Sequence, residues 1–191
     1  MTRRQTLRPT KRSLPHIWLM TDPRLGEGLL PAIKRLPAGS GVIFRHYELD
    51  AAARLSLFGQ IRRLCRQRGH MLLLAGDERA AQRWHADGFH SRDSKRQSRQ
   101  MVHSAPVHNR RELAAAQRGG VDLVFLSPIF ATKSHPGARA LGRAAFMALA
   151  KQCKPKRVIA LGGMSARKAV TLSKNRVHGW AAIDAFRERV V

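Results

Sequence analysis

Short apolar runs alternate along this chain with longer stretches whose apolar positions recur every three or four residues. The runs at 17–21, 41–45, 71–75, 88–90, 101–108, 123–127, 157–161 and 179–183 have strand length and predict β-strands. Between them stand helix signals. Leu55, Phe58, Ile61, Leu64 and Cys65 share one side of a helix predicted over 51–68, with Asp50 as its cap. A short helix at 29–36 is closed by Pro37 and Gly39, and others follow over 78–85 and 110–118, the latter capped by Asn109 and ended by Gly119 and Gly120. Further helices are predicted over 139–153, closed by Pro155, over 166–173, and from Asp184, a good N-cap residue.

The strands are apolar throughout, the pattern of a parallel sheet covered on both faces. Strand–helix units repeated eight times predict an α/β fold, a single (β/α)8 TIM barrel. A doubly wound open sheet is the alternative, and the strand count favours closure. The reading divides the chain into a basic, flexible N-terminal tail, 1–15, and a barrel domain, 16–191.

Composition narrows the partners. A 43% hydrophobic content suits one domain with its own core. No apolar run approaches the roughly 20 residues that cross a bilayer, and the run at 17–20 is too short for a signal-peptide core. Cys65 and Cys153 lack metal-type spacing and read as reduced thiols of a cytoplasmic protein. Thirty-six Lys and Arg against twelve Asp and Glu leave a formal charge of +24, which favours anionic partners. Phosphorylated small molecules come first. Nucleic acid is the less favoured partner, because the tail carries Arg3, Arg4, Arg8, Lys11 and Arg12 without interleaved aromatics. A second basic stretch holds Arg92, Lys95, Arg96 and Arg99. Solvated arginines would account for the same charge with no partner at all, and a homo-oligomer is compatible with the sequence.

The run 158–164 ends in Gly162 and Gly163, followed by Ser165 and a helix signal. Glycines admit positive φ and let an anion approach the main chain. Loops after the seventh and eighth strands of a parallel barrel often hold a phosphate. This corner is therefore the candidate phosphate cradle.

Several short motifs now stand in a telling order: Ile17-Trp18-Leu19-Met20-Thr21-Asp22, Asp87-Gly88-Phe89-His90, Val107-His108, Ser127-Pro128-Ile129-Phe130-Ala131-Thr132 and Ala160-Leu161-Gly162-Gly163-Met164. Together, over about 16–187, they resemble the thiamine phosphate synthase and thiazole tautomerase family, whose fold is a (β/α)8 barrel. Its synthases join a pyrimidine pyrophosphate to a thiazole phosphate, release pyrophosphate and use Mg²⁺.

The resemblance implies roles position by position. Arg45 matches an arginine that binds pyrophosphate, while the flanking glutamine and lysine of that motif are Ile43 and Tyr47 here. The two Mg²⁺ carboxylate positions are Gly76 and Lys95, leaving Asp93 as a weak metal candidate and no certain cofactor. His108 stands where the tautomerase branch has an acid–base histidine. Thr132 and Ser134 match substrate-contacting hydroxyls, and His135 replaces a pyrophosphate-binding lysine. Gly162 and Gly163 match the phosphate loop. Ile183 and Asp184 occupy the second phosphate contact, where a carboxylate would repel the ligand. The catalytic candidates are His108 and Arg45. The leading expectation is a thiamine phosphate synthase-like activity. The alternatives are a metal-independent tautomerase-like enzyme and a degenerate barrel that binds phosphorylated ligands or nucleic acid.

Overall fold

The computed structural model describes residues 13–92, 100–132, 137, 140–153, 157–172 and 176–187. Eight parallel strands close into a barrel: β1 (Ile17–Met20), β2 (Gly41–Phe44), β3 (Met71–Ala75), β4 (Gly88–His90), β5 (Val102–Val107), β6 (Leu123–Leu126), β7 (Val158–Ala160) and β8 (Gly179–Ala182). Each strand pairs with its sequence neighbours, and β8 returns to β1 through Ile17–Trp180, Trp18–Ala181 and Leu19–Ala182. Closure leaves no strand edge exposed. The predicted barrel is thus present and the open sheet is not.

The helices outside it are α1 (Leu29–Arg35), α2 (Ala51–Arg68), α3 (Glu78–Arg83), α4 (Arg110–Arg118), α5 (Gly142–Gln152) and α6 (Ala166–Ala169). Asp50, Asp77, Asn109 and Ser165 each accept a hydrogen bond from the amide three residues on, which fixes where α2, α3, α4 and α6 begin. The amphipathic face of α2 is narrower than its sequence predicts. Phe58, Ile61 and Cys65 are buried, whereas Leu55 is 49% exposed.

The predicted unit of one helix per strand fails in two places, after β4 and after β8, and two other helices are shorter than predicted. Among the described residues no helix joins β4 to β5. The helix predicted over 139–153 begins at Gly142, and the one over 166–173 stops at Ala169. Among the described residues beyond β8 there is one 3-10 turn, Asp184–Phe186, with Ile183 as its cap residue. Asp184 is therefore not an N-cap; its carboxylate instead faces Arg24 and Arg187, each at 3.8 Å. A second 3-10 segment, Pro23–Gly28, follows β1, and the Asp22 carboxylate caps it.

Trp18 on β1 and His90 on β4 both meet the Phe125 ring on β6 edge-on, at 5.4 and 5.2 Å between centroids. These strands are not neighbours, so the contacts span the barrel interior. Gly41 of β2 makes room for them, since a Cβ there would run into the Trp18 indole. The interior is thus plugged by rings. Of the predicted tail, residues 1–12 lie outside the described residues. The Leu14 and Pro15 carbonyls accept hydrogen bonds from His178 and Trp18.

Candidate active site at the C-terminal mouth

Above the ring plug, the C-terminal ends of the strands surround a cavity of about 1260 Å³. The fold delivers to it residues that follow seven of the strands: Arg24 and Leu25 after β1, Arg45 after β2, Arg92 after β4, His108 after β5, Ser127, Pro128, Ala131 and Thr132 after β6, Leu161 to Ser165 after β7, and Ile183 and Asp184 after β8. His108, Arg45, Thr132, Gly162, Gly163, Ile183 and Asp184 therefore all line one cavity. Ser134, His135, Asp93 and Lys95 lie outside the described residues.

The double-glycine corner has the left-handed backbone expected of it, with φ of 96° at Gly162 and 61° at Gly163. The loop after β6 packs tightly behind it: a Cβ on Gly162 would lie 2.7 Å from the Pro128 Cα, and one on Gly163 would lie 2.5 Å from the Ala131 carbonyl oxygen. Two hydrogen bonds tie the loops together, Ile129 N to Leu161 O at 2.9 Å and Phe130 N to Gly162 O at 3.2 Å. The carbonyls of this corner are thus engaged. Among the described residues, the amides of Gly162, Gly163 and Met164 have no hydrogen-bond acceptor. Unpaired amides at a positive-φ corner have the geometry that can receive an anion. Lys168 reinforces it. Its Nζ donates to the Gly163 carbonyl at 2.7 Å and sits 4.7 Å from the Phe130 ring centroid.

Arg45 is held at the rim by several contacts. Its Nε donates to the Thr21 carbonyl at 2.7 Å, and Nη2 to the Asp22 carboxylate at 2.7 Å. The Thr21 hydroxyl accepts from the Arg45 amide at 2.9 Å. Asp22 also receives Arg24 Nε at 2.7 Å. Burial pushes the Asp22 carboxyl up, but hydrogen bonds from Arg24 and the charges of Arg24 and Arg45 outweigh it and hold the carboxyl below its ordinary value. Arg45 is thus fixed as part of a rim ion pair, and its guanidinium still lines the cavity.

His108 is fixed as tightly. Its Nδ1 lies 2.9 Å from the Ser127 carbonyl, a contact that requires a proton on Nδ1 and leaves Nε2 as the accepting nitrogen. Its amide donates to Glu112 at 2.7 Å.

Sequence reasoning missed most of the cations. Arg24, Arg35, Lys168 and Arg187 join Arg45 and Arg92 around the cavity, and Asp184 is the one carboxylate among its described lining residues. Arg24 stands just past the end of β1 and Lys168 on α6, the helix that follows β7, so position relative to a strand end was the available signal. Asp184, which in isolation would repel a phosphate, is offset by Arg24 and Arg187.

Mg²⁺ fits the described residues poorly. The position after β3 is Gly76, which has no side chain, and the next acid, Asp77, accepts from the Ala80 amide at 2.7 Å. Among the described residues no group of three or more His, Cys, Asp or Glu could hold a metal ion.

The comparisons agree with this geometry. The Thiamine monophosphate synthase family profile matches residues 19–186. A protein of Aquifex aeolicus provisionally named thiamine-phosphate synthase 2 is 28% identical over 92% of this chain and 99% of its own length. The thiamine-phosphate synthase of Bacillus velezensis is 22% identical over 82% and 75%. A solved thiamine phosphate pyrophosphorylase from Pyrococcus furiosus superposes with a TM-score of 0.73 at 21% identity, covering 90% of this chain and 86% of that one, and so shows the same fold. These relatives favour the synthase reading over the tautomerase and nucleic-acid alternatives. No helix among the described residues is long and apolar enough to cross a membrane. With the family pattern matched across the whole barrel, this chain belongs to the thiamine monophosphate synthase family.

Proposed function

We propose that this chain couples a pyrimidine pyrophosphate to a thiazole phosphate and releases pyrophosphate. The supporting observation is the open-amide corner at Gly162 and Gly163 inside a cation-lined mouth. In the reaction, the C–O bond to pyrophosphate breaks and its electron pair stays on the leaving oxygen. The carbon left behind is cationic, and the lone pair of the thiazole nitrogen closes the new C–N bond. The product is a thiazolium, and no net proton is transferred. What such a step requires from the protein is orientation and charge complementarity. The corner amides and Lys168 hold the thiazole phosphate. Arg45 and Arg92 face the pyrophosphate, and Thr132 contacts substrate. The walls at Met20, Leu161 and Ile183 exclude water from the short-lived cation.

A cytoplasmic location suits the two buried cysteines, neither of which is in a disulfide. The test is incubation of the full-length protein with both substrates, with Mg²⁺ and separately with a chelator, and chromatography of the products. Formation of thiamine phosphate in at least one condition is expected. Its absence from both would remove the reading.

A further inference from the structure

The mouth departs from the family's metal requirement in a specific way. Strands β2, β3 and β4 are neighbours in that order. Arg45 follows β2, Gly76 follows β3 and Arg92 follows β4. Where the resemblance calls for a metal-binding carboxylate, the chain therefore puts a glycine, with Arg45 and Arg92 after the two neighbouring strands and both lining the cavity. The second carboxylate position is Lys95.

The nearest described acids are already in use. Asp22 carries Arg24 and Arg45 on its two oxygens, so that trio keeps a net positive charge, and Asp77 caps α3. His90, at the end of β4, senses the same field. Burial, then the charges of Arg45, His103 and Arg92, push its imidazole down to about 3, and its Nδ1 lies 2.8 Å from the Ser104 hydroxyl. A divalent cation brought between Arg45 and Arg92 meets like charge on both sides. A phosphate oxygen brought there meets the Arg92 guanidinium and the Arg45 N–H groups that Thr21 and Asp22 leave uncommitted.

We propose that this chain binds the pyrophosphate group of its substrate through Arg45 and Arg92, with no divalent cation. The proposal rests on the reading of the site given above and assigns its leaving-group side. The guanidiniums neutralise the oxygen that receives the electron pair and accept no proton from it.

Calorimetry with inorganic pyrophosphate and the full-length protein tests it, once in chelator and once in excess Mg²⁺. Binding is expected in chelator, with affinity unchanged or weakened by Mg²⁺, which competes for the ligand. Arg92→Met keeps an apolar stem and loses the charge. It is expected to weaken pyrophosphate binding in chelator about tenfold or more and to leave thiazole phosphate binding within about twofold, which also shows that the variant is folded. Arg92→Lys is expected to fall between the two, since it keeps the charge without the fork.

Pyrophosphate that binds only with Mg²⁺, or not at all, overturns the proposal, as does an unchanged affinity in Arg92→Met. The two readings separate cleanly. Thiazole phosphate binding with Mg²⁺-dependent pyrophosphate binding leaves the synthase reading standing and ends this one. Metal-free pyrophosphate binding with no thiazole phosphate binding does the reverse.

Discussion

Replacing Gly163 by alanine puts one methyl group into the most constrained point of the mouth. Its φ of 61° lies in the left-handed region, which costs a residue with a Cβ roughly 1–2 kcal/mol. The new carbon would also stand 2.5 Å from the Ala131 carbonyl oxygen and 3.0 Å from the Phe130 Cβ. Backbone cannot rotate away as a side-chain tip can, so the loop after β6 must shift, an overpacking cost of roughly 1–3 kcal/mol. The sum, roughly 2–5 kcal/mol, lowers Tm by about 5–15 °C in a domain of this size. The same shift displaces Ala131 and Thr132 on one wall and the open amides on the other, so thiazole phosphate affinity falls about tenfold or more. Gly69→Ala is the control. Its φ is 67°, a Cβ there meets nothing within 4 Å, and it ends α2 far from the ligand. It should cost about 1 kcal/mol and leave binding untouched. Differential scanning calorimetry and ligand titration measure both quantities. A Gly163→Ala protein that loses stability but binds thiazole phosphate like the native chain would refute the reasoning, because the corner would then be only a turn.

Burial pushes the imidazoles of His46, His70, His90 and His178 below their ordinary value of 6.5. The unfolded chain therefore binds more protons, and stability present above pH 6.5 is lost as pH falls through it, by up to about 1.4 kcal/mol per pH unit for each histidine. Tm at pH 5 should lie below Tm at pH 7.5 at constant ionic strength, and a flat profile would contradict this. Asp22→Asn removes the carboxylate shared by Arg24 and Arg45 and should destabilise by about 1–3 kcal/mol at neutral pH. Because the Asp22 carboxyl is held below its usual value, its contribution disappears as pH falls below 3.8, so the variant and native curves should converge there. Burial raises the Cys65 thiol to about 12 and also raises Cys153. A disulfide-forming reagent at pH 8 should label neither cysteine in the native protein and both after denaturation; rapid native labelling would show an opened core.

The strands were legible because each is an unbroken apolar run bounded by turn residues, and barrel closure followed from their number. Helix starts at Asp50, Asn109 and Ser165 were legible because capping is a local interaction. Asp184 shows the limit of local reading: its composition suits a cap, but Arg24 and Arg187, brought close by folding, take its carboxylate. The same holds for the cations of the mouth. Arg24 and Lys168 lie far apart in sequence, and only closure of β8 onto β1 and the turn after β7 bring them to one cavity. Arg45 is half legible, since the residue type announces an oxyanion partner while its second role, in the pair with Asp22, depends on the loop after β1. The glycine corner was readable because its φ values demand glycine and its place after the seventh strand is fixed by the fold.

The central claim is that the amides of Gly162 and Gly163 hold a phosphate. Amide-detected NMR of uniformly labelled protein, titrated with thiazole phosphate, addresses it residue by residue. The account predicts saturable shifts that are largest at Gly162, Gly163 and Met164. Saturable binding that leaves those three amides unmoved while signals elsewhere respond would contradict it.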